Sequence, residues 1–174
     1  MKKLLLLFLS LLLVFSLAAC TGSSNGEDAS VQSSGNNSTT DSKYVFQVAN
    51  SGNFTVKIDQ NMADVIQAIG EPLSYFEAAS CAFDGLDKTY TYAGFIITTR
   101  PDGEQDFVNS IRLTDDSVTT PEGAYVGMKT EDILSAYGAA TEQTDTLLRY
   151  GSANTSLNFT LENGVVVSIE YIPA

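Results

Sequence analysis

A chain of 174 residues with nine basic residues, twenty-one acidic ones and no histidine carries a net charge of −12 at neutral pH. Such a surface repels nucleic acid and anionic lipid headgroups, which argues against DNA or RNA as a partner. Without imidazole no Ser–His or Cys–His nucleophile pair can be assembled, and zinc loses its nitrogen ligand.

The chain opens on Lys2-Lys3 and the apolar run Leu4–Ala19, closed by Leu17-Ala18-Ala19-Cys20. A basic start, an apolar stretch and small residues before a cut are the parts of a secretory leader, expected here over residues 1–19. The run is short for a helix that must cross a bilayer, which takes about 20 residues. The cysteine placed directly after Leu-Ala-Ala resembles the lipobox of bacterial lipoproteins. That resemblance implies cleavage before Cys20, lipid attachment such as palmitate and a diacylglyceryl group at its thiol, and anchorage to the cell membrane on the extracytoplasmic face. Taking Lys2 and Lys3 away with the leader leaves seven basic residues against twenty-one acidic ones, so acyl chains and not charge would hold the protein there.

Residues 20–43 are rich in Ser, Asn, Gly and Thr, too polar to form a core, and read as a lipidated flexible tether. A coil of this length spans about 25 Å r.m.s.. Residues 44–174 read as one folded domain in which a pattern occurs twice, over about 54–113 and 126–174, with a linker over 114–125. Asp64-Val65-Ile66-Gln67-Ala68-Ile69-Gly70 aligns with Asp132-Ile133-Leu134-Ser135-Ala136-Tyr137-Gly138. Both read as short amphipathic helices, Val65, Ile66 and Ile69 sharing one face and Ile133, Leu134 and Tyr137 the other copy's. Thr130 is placed as an N-cap, and Gly70 and Gly138 as helix ends.

Strands follow each helix. Phe95, Ile97 and Thr99 alternate outward and Phe107, Ile111 and Leu113 return, around a loop at Arg100–Asp106. Leu157, Phe159 and Leu161 lead to a three-residue turn at Glu162-Asn163-Gly164, after which Val165, Val167, Ile169 and Tyr171 share a face. Tyr44–Val48, Phe54–Ile58, Tyr75–Phe83 and Thr89–Tyr92 read as further strands. The expected class is α+β: two tandem units, each a short helix packed on an antiparallel sheet with one open face.

Ile58-Asp59-Gln60-Asn61-Met62 with Val65, Ile69, Gly70 and Pro72, and Val126-Gly127-Met128 with Ile133 and Gly138, resemble small-lipoprotein repeats. Such repeats occur in SmpA/OmlA-like assembly lipoproteins and in β-lactamase-inhibitor-like proteins, where tandem units build a protein-binding face. Ser80–Tyr92 and Asp115-Asp116-Ser117-Val118 resemble uncharacterised lipoproteins of Firmicutes, a likeness that brings no activity with it. Function carried across from the first two would be analogy.

Among candidate sites, Asp102-Gly103-Glu104-Gln105-Asp106 spaces oxygens as a calcium loop would, but lacks the Gly and bidentate Glu of an EF-hand and reads as a charged turn. Asp84-Gly85-Leu86-Asp87 and Asp115-Asp116 read the same way. Cys81, left without a partner in an exported protein, is a reactive thiol, an intermolecular bridge or a small buried side chain, and the last is preferred. No catalytic group, metal or cofactor is expected. Tyr75, Tyr90 and Tyr92 are the candidate partner-binding residues, since tyrosine suits an interface, although rings that simply fill the sheet–helix core are the preferred reading. The expected function is a non-catalytic binding module for an envelope protein. The alternatives are an inhibitor of an extracellular enzyme entering with Arg100–Asp106, or a small-ligand binder or enzyme.

Overall fold

Alternation of β-branched and aromatic residues with Thr, Ser and Asn favours extended chain along most of this sequence. The computed structural model describes residues 43–174, and these form ten strands and two helices. In chain order they are β1 (Phe46–Val48), a single 3-10 turn, β2 (Phe54–Val56), α1 (Met62–Ile69), β3 (Ser74–Ala79), β4 (Leu86–Tyr92), β5 (Phe95–Asp102), β6 (Gln105–Leu113), α2 (Thr130–Tyr137), β7 (Glu142–Gln143), β8 (Leu147–Gly151), β9 (Thr155–Glu162) and β10 (Val165–Pro173). The expected leader, Cys20 and the tether as far as residue 42 lie outside the described residues. No helix among the described residues is long and apolar enough to cross a membrane.

The α+β class with two helix-on-sheet units does not hold. β3 to β10 form one uninterrupted antiparallel sheet in the order β3-β4-β5-β6-β10-β9-β8-β7, a β-rich fold. The physical reason lies at the centre, where β6 and β10 pair directly through Leu113–Ile169, Arg112–Glu170 and Ile111–Tyr171. Two helices of eight residues each are also too short to cover such a sheet. The β1–β2 hairpin fills the space they leave.

One face of the sheet is covered. Tyr90, Tyr92, Phe95, Ile97, Ile111, Leu113, Leu148, Tyr150, Leu157, Phe159, Ile169 and Tyr171 are buried on it with Met62 and Val65 of α1, Ile133 of α2, and Tyr44, Phe46 and Val56 around the hairpin. Phe46 is within 4.9 Å of Phe95 and 6.1 Å of Tyr171, ring centre to ring centre, while Tyr44 lies 6.4 Å from Tyr137 and 6.2 Å from Tyr150. The other face is open and polar. A single row crosses all eight strands there in register: Ser74, Thr91, Ile96, Arg112, Glu170, Asn158, Arg149 and Glu142.

Both hairpins are tighter than their sequences suggest. Asp102 pairs with Gln105, so Arg100–Asp106 is strand closed by a two-residue turn and not a protruding loop. Glu162 pairs with Val165, leaving Asn163-Gly164 as the turn, both at positive φ (52° and 77°) as a type I′ connection requires. Each hairpin's return strand carries a bulge. Asn109 is the extra residue in β6, between Val108 opposite Thr99 and Ser110 opposite Thr98. Val167 is the extra residue in β10, between Val166 and Ser168. A bulge reverses which side chains face inward. Val108 and Val166 are therefore buried, whereas Phe107 and Val165 are only half-buried and Val167 is exposed.

Local geometry recurs across the sheet. The backbone N–H of Asp59 donates to Val108 and Gln60 accepts from it, each at 2.9 Å, as Gly127 and Met128 do with Val166 at 2.8 and 2.9 Å. Asp59 and Gly127 both stand at positive φ (63° and 103°) to make this contact.

Candidate partner-binding site

The three tyrosines expected to form a binding face separate when placed on the sheet. β4 alternates, so Tyr90 and Tyr92 point to the covered side and are only 7 % and 9 % exposed. Tyr92 stacks on Phe95, ring planes 10° apart at 5.0 Å, and its hydroxyl donates to the carbonyl of Gly70 at 3.2 Å. Tyr150 does the same for Gly138 at 3.0 Å. These are closures of helix ends and not contact surfaces. Burial pushes the hydroxyls of Tyr90 and Tyr92 up to about 12; Asp106 and Glu77 add to this at Tyr90, and Glu71 at Tyr92. Both stay protonated at neutral pH.

Tyr75 alone of the three is exposed, opposite Tyr90 in register with ring centres 5.2 Å apart. Its hydroxyl donates to Glu77, a bond that raises its titration above the ordinary tyrosine value. It belongs to a larger feature that the sequence pattern did not reveal. β3 is the outer strand of the sheet, and all six of its residues are exposed. Leu73 (75 % exposed) precedes it, Phe76 (66 %) stands on its open side, Leu86 of β4 pairs with its last residue, and Phe83 is exposed in the loop that follows. Its pattern could have signalled this: Ser74-Tyr75-Phe76-Glu77-Ala78-Ala79 has no period of two, as befits a strand with neither face fully covered. Nothing local says which strand is outermost.

The loop after β3 is held in place. The Ser80 hydroxyl accepts from the backbone N–H groups of Ala82 (3.3 Å) and Phe83 (3.2 Å), and Ser80 itself donates to the Gly85 carbonyl at 3.0 Å. The Arg100 guanidinium lies over the rings of Phe83 (5.9 Å) and Phe107 (5.5 Å) and pairs with Asp59 at 2.9 Å. Cys81 is exposed in this loop, contrary to the preferred reading of a buried side chain, because the loop lies beyond the covered face.

Acidic side chains ring the edge. Glu71, Glu77, Asp84 and Asp87 are exposed around it, and the nearby Lys88 is already engaged with Asp106 at 2.6 Å. The far edge of the sheet is different. β7 is two residues long, and Glu142 is tied to Arg149 of β8 at 2.6 Å.

The remaining candidates stay apart. Among the described residues no group of three or more Cys, Asp or Glu is arranged to hold a metal ion. Asp115 accepts from the backbone N–H (2.8 Å) and the hydroxyl of Ser117, which lowers its carboxyl titration and marks an ordinary turn. An open cleft of about 600 Å³ lies between the Gln143–Thr146 turn and the Leu161–Gly164 end of the β9–β10 hairpin, and one of about 320 Å³ lies between Asn50, Asn53 and Ser117–Pro121.

No protein-family model and no curated protein matches the chain. Among solved structures, the fold is similar to a crystal structure of an extracellular protein containing a SCP domain from Bacillus anthracis, at 11 % identity and a TM-score of 0.50. The similarity covers 73 % of this chain and 45 % of that one, so the chain spans less than half the length of its neighbour, and at this identity the likeness is one of fold alone.

Proposed function

We propose that this chain is an extracytoplasmic, lipid-anchored, non-catalytic binding module that engages a protein of the cell envelope through the β3 edge. The observation that carries the reading is the run of uncovered apolar side chains Leu73, Tyr75, Phe76, Phe83 and Leu86 on one margin of the sheet. Apolar surface left in water forgoes about 25 cal/mol per Å², and a contiguous patch of it marks an interaction site. The lipobox-like Leu17-Ala18-Ala19-Cys20 supports the anchor, with Cys20 as the lipid attachment site. A fold shared with part of an extracellular protein is in keeping with a position outside the cytoplasm.

A photo-crosslinking residue placed at Phe76 of the full-length protein in its native cells tests this, with Thr160 on the open face of β9 as the control position. A discrete adduct from position 76 and none from 160, recovered in the membrane fraction, is the expected result. Cys20→Ser should abolish fatty-acid labelling of the protein. No adduct at position 76, or a cytosolic protein that retains residues 1–19 and no fatty acid, overturns the reading.

A further inference from the structure

We infer that the β3 edge takes up an extended, cationic segment of its partner as a ninth strand of the sheet; the inference rests on the binding-module reading above and deepens it. Backbone geometry comes first. Strands in an antiparallel pair turn alternate residues toward each neighbour. The N–H of Ser80 points to β4, where it meets the Gly85 carbonyl at 3.0 Å in the register that pairs Phe76 with Thr89 and Ala78 with Asp87. Alternation then leaves the N–H and C=O groups of Tyr75, Glu77 and Ala79 on the outer side. An exposed six-residue edge of this kind is a template for another chain, and proteins normally blunt such edges by shortening them or by adding charge or proline. β7 at the opposite end is blunted in that way, with two residues and an ion pair to Arg149. β3 carries no proline, and Glu77 is its one charged residue.

Charge decides the occupant. Glu71, Glu77, Asp84 and Asp87 surround the edge, while the cations nearest to it, Lys88 and Arg100, are held by Asp106 and Asp59. Two copies of so acidic an edge would bring like charges together, so a second copy of this chain is disfavoured. A strand with Lys or Arg toward Tyr75 and Glu77, and apolar side chains toward Phe76 and Ala78, fits both faces. The phenol of Tyr75 beside Glu77 offers a ring as well as a carboxylate to such a cation.

The probe is a blocked Lys-Val-Lys-Val-Lys-Val peptide titrated into the full-length protein in detergent. Three comparisons accompany it: a Glu-Val peptide of the same length, the Lys-Val peptide N-methylated at every residue so that neither edge can donate, and the variants Glu77→Gln and Glu77→Pro. Proline is tolerated on an edge strand where the N–H faces outward, and thermal melts confirm that each variant is folded. Strand addition requires that N-methylation and Glu77→Pro each weaken binding by about tenfold or more, through lost backbone bonds. Glu77→Gln should cost less than about fivefold, as one exposed ion pair does. Equal binding of the methylated and unmethylated peptides, or full binding by Glu77→Pro, overturns the inference. So does a concentration-dependent dimer in sedimentation that Glu77→Pro abolishes, since β3 would then be occupied by a second copy. The in-cell adduct at position 76 separates the two levels. If it persists undiminished in Glu77→Pro, the binding module stands and strand addition falls. If the unmodified chain gives none, the module itself falls.

Discussion

Tyr92 stands on β4 with its ring against Phe95 and its hydroxyl on the carbonyl of Gly70, one of the carbonyls that α1 leaves without an intrahelical partner. Tyr150 makes the same bond to Gly138 after α2. A hydroxyl removed from such a site leaves the carbonyl with less to bond to. Tyr92→Phe and Tyr150→Phe should each lower stability by about 1 kcal/mol, read as a shift in urea midpoint at constant slope, while Tyr125→Phe at an exposed position should leave the midpoint unchanged. The same residues set an alkaline limit. The hydroxyls of Tyr90 and Tyr92 titrate near 12 in the folded chain against 10.0 for an unperturbed tyrosine. Above pH 10 the unfolded chain gives up these protons first, so stability present below pH 10 is lost as the pH rises from there to about 12. Melting temperatures followed over that range, with tyrosinate absorbance recorded alongside, check this; Tyr92→Phe should fall less steeply than the parent.

At the scale of elements, the two helices differ in how they begin. Asn61 has extended backbone and accepts the N–H of Ala63 at 2.9 Å, closing the start of α1. Lys129 holds the equivalent place before α2 with similar backbone angles and makes no such bond; Thr130, expected as the cap, lies one residue inside and donates its hydroxyl to the Gly164 carbonyl at 3.0 Å. Asn61→Ala should therefore cost about 1 kcal/mol, and Lys129→Asn should gain up to about 1 kcal/mol by supplying a cap and removing a cation from the positive end of the helix dipole. Thermal or urea unfolding of the two variants checks both signs. Sequence patterning carried the helices and their inner faces well, because Val65 and Ile133 follow a spacing that nothing interrupts. It failed at Phe107, Val165 and Val167, where one extra residue per return strand reverses the inward set without leaving a mark in the composition. At Tyr90 and Tyr92 alternation showed a shared face, and the preferred reading of it as core agrees with their burial, while their alternative place on a partner surface does not. The uncovered aromatic residues lie on β3, whose outermost place depends on strand order, and strand order is settled by contacts between residues far apart in the chain.

At the scale of the whole molecule, the direct pairing of β6 with β10 makes one sheet of the eight strands, and the β1–β2 hairpin binds across that seam. Phe46 is the side chain that reaches both sides. It is 1 % exposed and touches the ring of Phe95, from β5, and that of Tyr171, from β10. If the strands on either side of the seam were independent bodies, removing the Phe46 ring would loosen one of them and leave the other's melting unchanged. If they form one cooperative unit, the cavity is felt by all. Phe46→Ala should lower the stability of the folded domain by about 3–5 kcal/mol, as deletion of a fully buried aromatic ring does, and should do so in a single transition. Hydrogen exchange of the amides of Ile97 in β5 and Phe159 in β9, followed beside the urea curve by circular dichroism, reads this directly. Equal loss of protection at both positions is the expected outcome. Protection retained at Phe159 while it is lost at Ile97 would show that the seam does not couple the sheet.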